Sequence, residues 1–111
     1  MHEMTFALSL LDVVEEHRPE GAVVKNVIVR VGPMHGIVKE AMEWAWEAAT
    51  EEGNCKGASL ELEFLPWRFE CPQCGRRWEG EEMLEACVCG CEKVGHIDCD
   101  EFSLVGIDVE D

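Results

Sequence analysis

Five of the chain's seven cysteines fall in two clusters. The first is the knuckle Cys71-Pro72-Gln73-Cys74-Gly75. Two thiolates at this spacing can point at one ion. The amides between and after them can hydrogen-bond to sulfur, and Gly75 permits the tight turn. Twelve residues later comes Cys87-Val88-Cys89-Gly90-Cys91. Two pairs of thiolates close a tetrahedron that suits Zn²⁺. Cys71 and Cys74 provide the first pair. The second pair is Cys87 with Cys89, Cys87 with Cys91, or Cys89 with Cys91. The competing chemistry is a redox Cys-x-x-Cys, which needs a strand before it and a long helix after it. Neither pattern is evident around Cys71. Cys55 and Cys99 lie outside the clusters and read as small buried hydrophobes.

A second group that could do chemistry opens the chain. In Met1-His2-Glu3 the α-amine, the His2 amide nitrogen and the His2 imidazole can chelate one ion, with the Glu3 amide or carboxylate as fourth donor. Such nitrogen-rich sets suit Ni²⁺ or Cu²⁺. Binding through amides requires their deprotonation, so it strengthens with pH. On spacing alone an exposed His2 is the plainer reading. The other histidines also read as ordinary: His17 at a helix end, His35 in a loop or helix start, His96 beside the zinc segment.

These groups need positioning. Residues 4–17 have helical periodicity, with Met4, Leu8 and Leu11 as the stripe and Ala7, Leu10 and Val14 widening it. Residues 23–31 read as a strand with Val23, Val27, Val29 and Val31 on one side. Residues 37–50 return to helical spacing through Ile37, Ala41, Trp44 and Ala48, broadened by Met42, Ala45 and Ala49, with Trp46 at the stripe's edge. Residues 59–65 alternate as a strand. Residues 102–109 form a last strand with Val105, Ile107 and Val109 on one face. Residues 67–100 show no sustained period and too little apolar surface to order themselves, so metal binding must provide folding free energy on the order of 10 kcal/mol. Leu84, Val94, Trp67 and Trp78 can add a small satellite cluster to this segment. The pattern predicts an α+β fold: two helices packed on a small, about three-stranded sheet, with an inserted zinc-ribbon-like cysteine module. The α/β domain takes residues 1–65 and is completed by 102–111. The zinc-binding module takes residues 66–101.

Composition narrows the function. The formal charge of −15 disfavours nucleic-acid binding. No apolar run approaches the ~18 residues of a membrane span, and no secretory signal is evident. A cytoplasmic chain with reduced thiols is expected, and an odd cysteine count fits a closed disulfide framework poorly.

Met1-His2-Glu3 opening a helix, the Val-rich strand ending at Val31-Gly32, Gly57-Ala58-Ser59-Leu60-Glu61-Leu62, the first knuckle, a second cysteine group and the closing Glu101-Phe102-Ser103-Leu104-Val105-Gly106-Ile107-Asp108-Val109 together resemble the HypA/HybF family of hydrogenase nickel-incorporation proteins. The resemblance implies a nickel metallochaperone rather than an enzyme. Met1, His2 and Glu3 would hold Ni²⁺ as cargo, and a cysteine module would hold structural Zn²⁺. The implied partners are the GTPase HypB and the large-subunit precursor of a [NiFe]-hydrogenase, with urease as a further client. The chain would work as a monomer or weak homodimer. The family's second knuckle is normally another Cys-x-x-Cys-Gly. In register from Glu101-Phe102 its second cysteine falls on Cys89 and its first on Ala86, which cannot ligate. Cys87 then takes the fourth place, with Cys91 in reserve, and Cys99 stands where the family usually has glycine. The alternatives are a zinc-ribbon adaptor that ignores nickel and, more remotely, a thiol oxidoreductase or iron protein.

Overall fold

The computed structural model describes residues 2–110. Helix α1 spans His2–His17, strand β1 Val24–Val31, helix α2 Lys39–Ala49 and strand β2 Ser59–Phe64. Three short strands come next: β3 Trp67–Glu70, β4 Arg77–Gly80 and β5 Gly95–His96. Strand β6, Phe102–Val109, closes the chain. A 3-10 turn, Pro33–His35, lies between β1 and α2.

The first sheet has the order β2-β1-β6. β1 and β2 run parallel, which requires the crossover that α2 provides, and β6 returns antiparallel to β1. Val24, Val27, Val29 and Val31 are buried against Ala7, Leu10 and Val14 of α1 and Met42, Ala45 and Trp46 of α2 in one core. The opposite sheet face is polar. There Asn26 Nδ2 donates to Asp108 Oδ2 at 3.1 Å, and Arg30 pairs with Glu63 at 3.3 Å. This is the expected α+β unit of two helices on a three-stranded sheet.

Several side chains depart from the expected faces, for identifiable reasons. Between Val24 and Asn26, β1 advances two residues while β6 advances one, so Lys25 is bulged. A bulge reverses the alternation, which puts Val24 into the core and leaves Val23 exposed. A second bulge, at Val105, lies between the pairs Ile28↔Gly106 and Val29↔Leu104. It turns Val105 outward, while Phe102, Leu104, Ile107 and Val109 pack on the core. On α1 the core line is Ala7, Leu10 and Val14, and Met4 and Leu8 are exposed. On α2 Trp46, expected at the stripe's edge, is 2% exposed, and Trp44, expected within the stripe, is 75% exposed. Trp46 is also fixed by its indole N–H donating to the Ala58 carbonyl at 3.1 Å.

Residues 67–100 show no sustained period in sequence, yet they fold into regular structure. They contain a second three-stranded sheet, β4-β3-β5, antiparallel throughout. Its core is Phe69, stacked on Trp78 with ring centroids 5.3 Å apart and tilted against His96 at 5.4 Å. Trp67 also packs on His96, whereas Leu84 is exposed. The radius of gyration is 17.3 Å, against about 13 Å for a compact chain of this length. The cysteine module therefore extends the molecule, whose long axis is 55 Å.

The two sheets are joined where Gly32-Pro33-Met34 meets the segment returning from the module. Gly32 N–H donates to Glu101 O at 2.6 Å, Met34 N–H to Cys99 O at 2.9 Å, and His35 Nε2 to Asp100 O at 2.6 Å. A Cβ on Gly32 would overlap the Cys99 carbonyl, and its nearest neighbours are all backbone atoms of Cys99 and Glu101. Relief requires backbone movement, so Gly32→Ala should lower stability by about 1–3 kcal/mol. Urea denaturation checks this. An unchanged midpoint would show that the junction yields without cost.

Candidate metal centres

The first knuckle sits at the tip of the β3–β4 hairpin. Cys71 N–H donates to Arg76 O at 2.9 Å, and Gly75 N–H closes the turn on Cys71 O at 2.8 Å. Gly75 has φ +79°, a left-handed conformation that a side chain would oppose. The second knuckle is one residue tighter. Gly90 N–H donates to Cys87 O, and Cys87 N–H donates to Cys91 O, both at 2.9 Å, with Gly90 at φ +97°. Aligning the two glycines pairs Cys74 with Cys89 and Cys71 with Ala86. The shorter turn brings Cys87 into the place that Ala86 cannot fill.

The four sulfurs of Cys71, Cys74, Cys87 and Cys89 lie within 4.8 Å of one another. The Cys71–Cys89 and Cys74–Cys87 separations are both 3.6 Å. Zinc–sulfur bonds of about 2.3 Å give a tetrahedron with edges of about 3.8 Å, so this donor set fits one such ion. Among the described residues this is the His, Cys and carboxylate group able to hold a metal, and Cys91 is not in it. Cys71 and Cys87 are buried, and Cys74 and Cys89 are exposed.

The four thiols divide into two types. The Cys74 backbone amide, with that of Gln73 and neighbouring thiols, holds Cys71 down to about 6. The Cys89 amide lowers Cys87 in the same way. The Arg76 amide pulls Cys74 down, but hydrogen bonding with Cys87 and desolvation outweigh it and the thiol is raised. The Cys91 amide likewise stabilises the Cys89 thiolate, yet desolvation and the other three thiols push Cys89 up to about 12. Cys74 and Cys89 are thus protonated at neutral pH in the metal-free cluster. A metal must displace those protons, so binding releases at least two and tightens as pH rises. Calorimetry in buffers of different ionisation enthalpy measures this. Release of fewer than two protons would contradict the assignment.

A strand, β3, does precede Cys71, contrary to the sequence expectation. The long helix of a redox Cys-x-x-Cys is absent, because Cys74 leads into β4. Cys55 and Cys99 are buried outside the cluster. Cys55 lies 3.5 Å from Glu15 Oε1, and burial first, then Glu15, pushes its thiol up to about 11. Cys99 accepts from Arg68 N–H at 3.4 Å, tying the return segment to β3. His17 bonds the Val13 carbonyl at 2.9 Å and His96 that of Met83 at 2.8 Å, so neither belongs to the thiol group. Sequence reasoning misses the module's aromatic core at Phe69 and His96. The alternation of Trp67 and Phe69 before the knuckle is the signal that carries it.

Of the nitrogen-rich group, Met1 and the His2 side chain lie outside the described residues. Glu3 stands in the first turn of α1, and its Oε2 accepts from Val38 N–H at 3.3 Å. A concavity of about 720 Å³ between α2 and residues 56–60 includes none of the expected metal ligands.

A two-helix α+β unit with a projecting four-thiol module defines a small metal-binding protein. The family model for hydrogenase/urease nickel incorporation metallochaperones, HypA, matches residues 1–109. The chain belongs to the HypA family, whose nickel metallochaperones act in hydrogenase maturation. It is 32% identical over 97 residues to the hydrogenase maturation factor HypA of Syntrophus aciditrophicus, covering 85% of each chain. It is 30% identical to that of Geobacter metallireducens, covering 99% of this chain and all of the relative. The solution structure of the Ni metallochaperone HypA from Helicobacter pylori superposes with a TM-score of 0.70 at 25% identity, covering 98% of this chain and 97% of that one.

Proposed function

We propose that this chain binds Ni²⁺ through the Met1 amine, His2 and Glu3 and delivers it to the large-subunit precursor of a [NiFe]-hydrogenase, working with the GTPase HypB. Delivery to urease is a second outlet of the same chemistry. The function is binding and transfer, without catalytic turnover. The observation that carries the reading is the family match across residues 1–109, which includes the helix start and both cysteine knuckles. Chemistry supports it. The positive end of the α1 dipole weakens cation binding, and the Glu3 carboxylate offsets this. The result is a site of moderate affinity that can yield its ion to a better acceptor.

In this reading Zn²⁺ is structural and is held by Cys71, Cys74, Cys87 and Cys89. When bound, it supplies the crosslink that orders the module. The nickel-binding unit comprises residues 1–65 with 102–111, and the zinc module residues 66–101. The working compartment is the cytoplasm. No helix among the described residues is long and apolar enough to cross a membrane.

Removing the chain from its host and assaying hydrogenase with and without added nickel salts tests the reading. Activity should be lost at low nickel and restored by excess nickel, because free ion bypasses a carrier. Loss that nickel cannot repair would favour an adaptor acting through the zinc module alone.

A further inference from the structure

The second knuckle carries three thiols, and the four-sulfur group uses two of them. Cys91 is the third, half-buried and outside that group. The backbone nevertheless keeps it beside the site. Its carbonyl accepts from Cys87 N–H at 2.9 Å. The chain also leaves the two knuckles differently. The first runs directly into β4, whose Arg77 pairs with Glu70 of β3, so its exit is pinned by a ladder. The second runs from Gly90 into residues without strand or helix until β5 begins at Gly95. Cys89, the ligand next to Cys91, is solvent-exposed, whereas Cys71 and Cys87 are buried. The exposed ligand, the spare thiol and an exit without a strand ladder therefore coincide at one corner of the site.

We propose that Cys91 is a reserve metal ligand that exchanges with Cys89, so the bound ion can change one thiolate without leaving the protein. The inference rests on the reading of the four-thiol group as a zinc site. The step balances simply. Cys91 gives its proton to solvent and forms a sulfur–metal bond. The Cys89–metal bond breaks, and Cys89 takes up a proton. Coordination number and charge are conserved, and no electrons move. Cys71, Cys74 and Cys87 stay bound throughout. A soft divalent ion that prefers four thiolates, such as Zn²⁺ or Co²⁺, is the class of metal this corner would take.

The test uses the full chain as wild type, C89S, C91S and C89S/C91S. Zinc content is measured after purification, and the absorption of the Co²⁺-substituted site reports the number of thiolates. C89S and C91S should each retain one ion and a four-thiolate spectrum. C89S/C91S should lose the ion or show a three-thiolate spectrum. A wild-type four-thiolate site beside a C89S site that matches the double variant would overturn the exchange and leave the zinc reading standing. A wild-type chain that binds neither zinc nor cobalt at these thiols would overturn the zinc reading, and the exchange with it. Alkylation of the zinc-loaded wild type, mapped by mass spectrometry, is independent of variant folding. Cys89 and Cys91 should share intermediate protection while Cys71, Cys74 and Cys87 stay protected. Full protection of Cys89 with Cys91 reacting as a free thiol would overturn the proposal.

Discussion

Cys71→Ser is expected to empty the thiolate site and unfold the module, residues 67–100, while the two-helix unit stays folded. Cys71 is 1% exposed, and its thiol is held down to about 6. It also closes the hairpin through its backbone bonds to Arg76 and Gly75. The rest of the module cannot compensate. Apart from cysteines, Phe69 is its only fully buried hydrophobic residue among the described residues. One such side chain contributes about 3 kcal/mol, whereas a structural zinc contributes on the order of 10 kcal/mol. Trp67 and Trp78 flank Phe69 through its stack and through His96, so their fluorescence should shift to longer wavelength. Helical circular dichroism should persist, because α1 and α2 share a core made without the module. Chelator treatment of the wild type should reproduce the same changes. A Cys71→Ser chain that keeps the Trp67 and Trp78 emission of the wild type would show that the aromatic core folds unaided.

The second large effect is on the helical unit. Trp46→Ala should cost about 3–5 kcal/mol, the usual penalty for emptying a buried tryptophan site. The side chain is among the largest fully buried ones, and truncation also leaves the Ala58 carbonyl without its indole donor. Trp44→Ala, on the same helix but facing solvent, should change stability by less than about 0.5 kcal/mol. Urea denaturation of the pair reads the difference directly. Equal losses would mean that the assignment of inner and outer tryptophan is wrong.

That pair also shows how far the sequence alone is legible. Helical spacing locates α2 correctly, but alanines on several sides of the helix leave two stripes with similar apolar content. The side on which a tryptophan lies is decided by packing against Ala58 and β1. The valine-rich β1 is evident from its β-branched run. Its bulge at Lys25 is not, because one extra residue reverses the alternation without any composition signal. Val105 in β6 escapes for the same reason. Strands β3 to β5 are two to four residues long. Segments that short carry almost no periodicity, and their pairing depends on a cysteine group spanning residues 71–89. The cysteine positions themselves are legible, since thiol spacing is a property of sequence. That Cys87 joins the group and Cys91 does not requires the tight turn at Gly90. The proposed nickel site is legible only as chemistry, an amine and an imidazole at the head of a helix.

The most direct test of the central claim is nickel titration by calorimetry of the wild type and His2→Ala, both zinc-loaded and with the same folded far-ultraviolet spectrum. The account predicts one Ni²⁺ bound by the wild type, none by His2→Ala at the same concentrations, and unchanged zinc in both. Equal nickel stoichiometry and affinity in the two chains would contradict it.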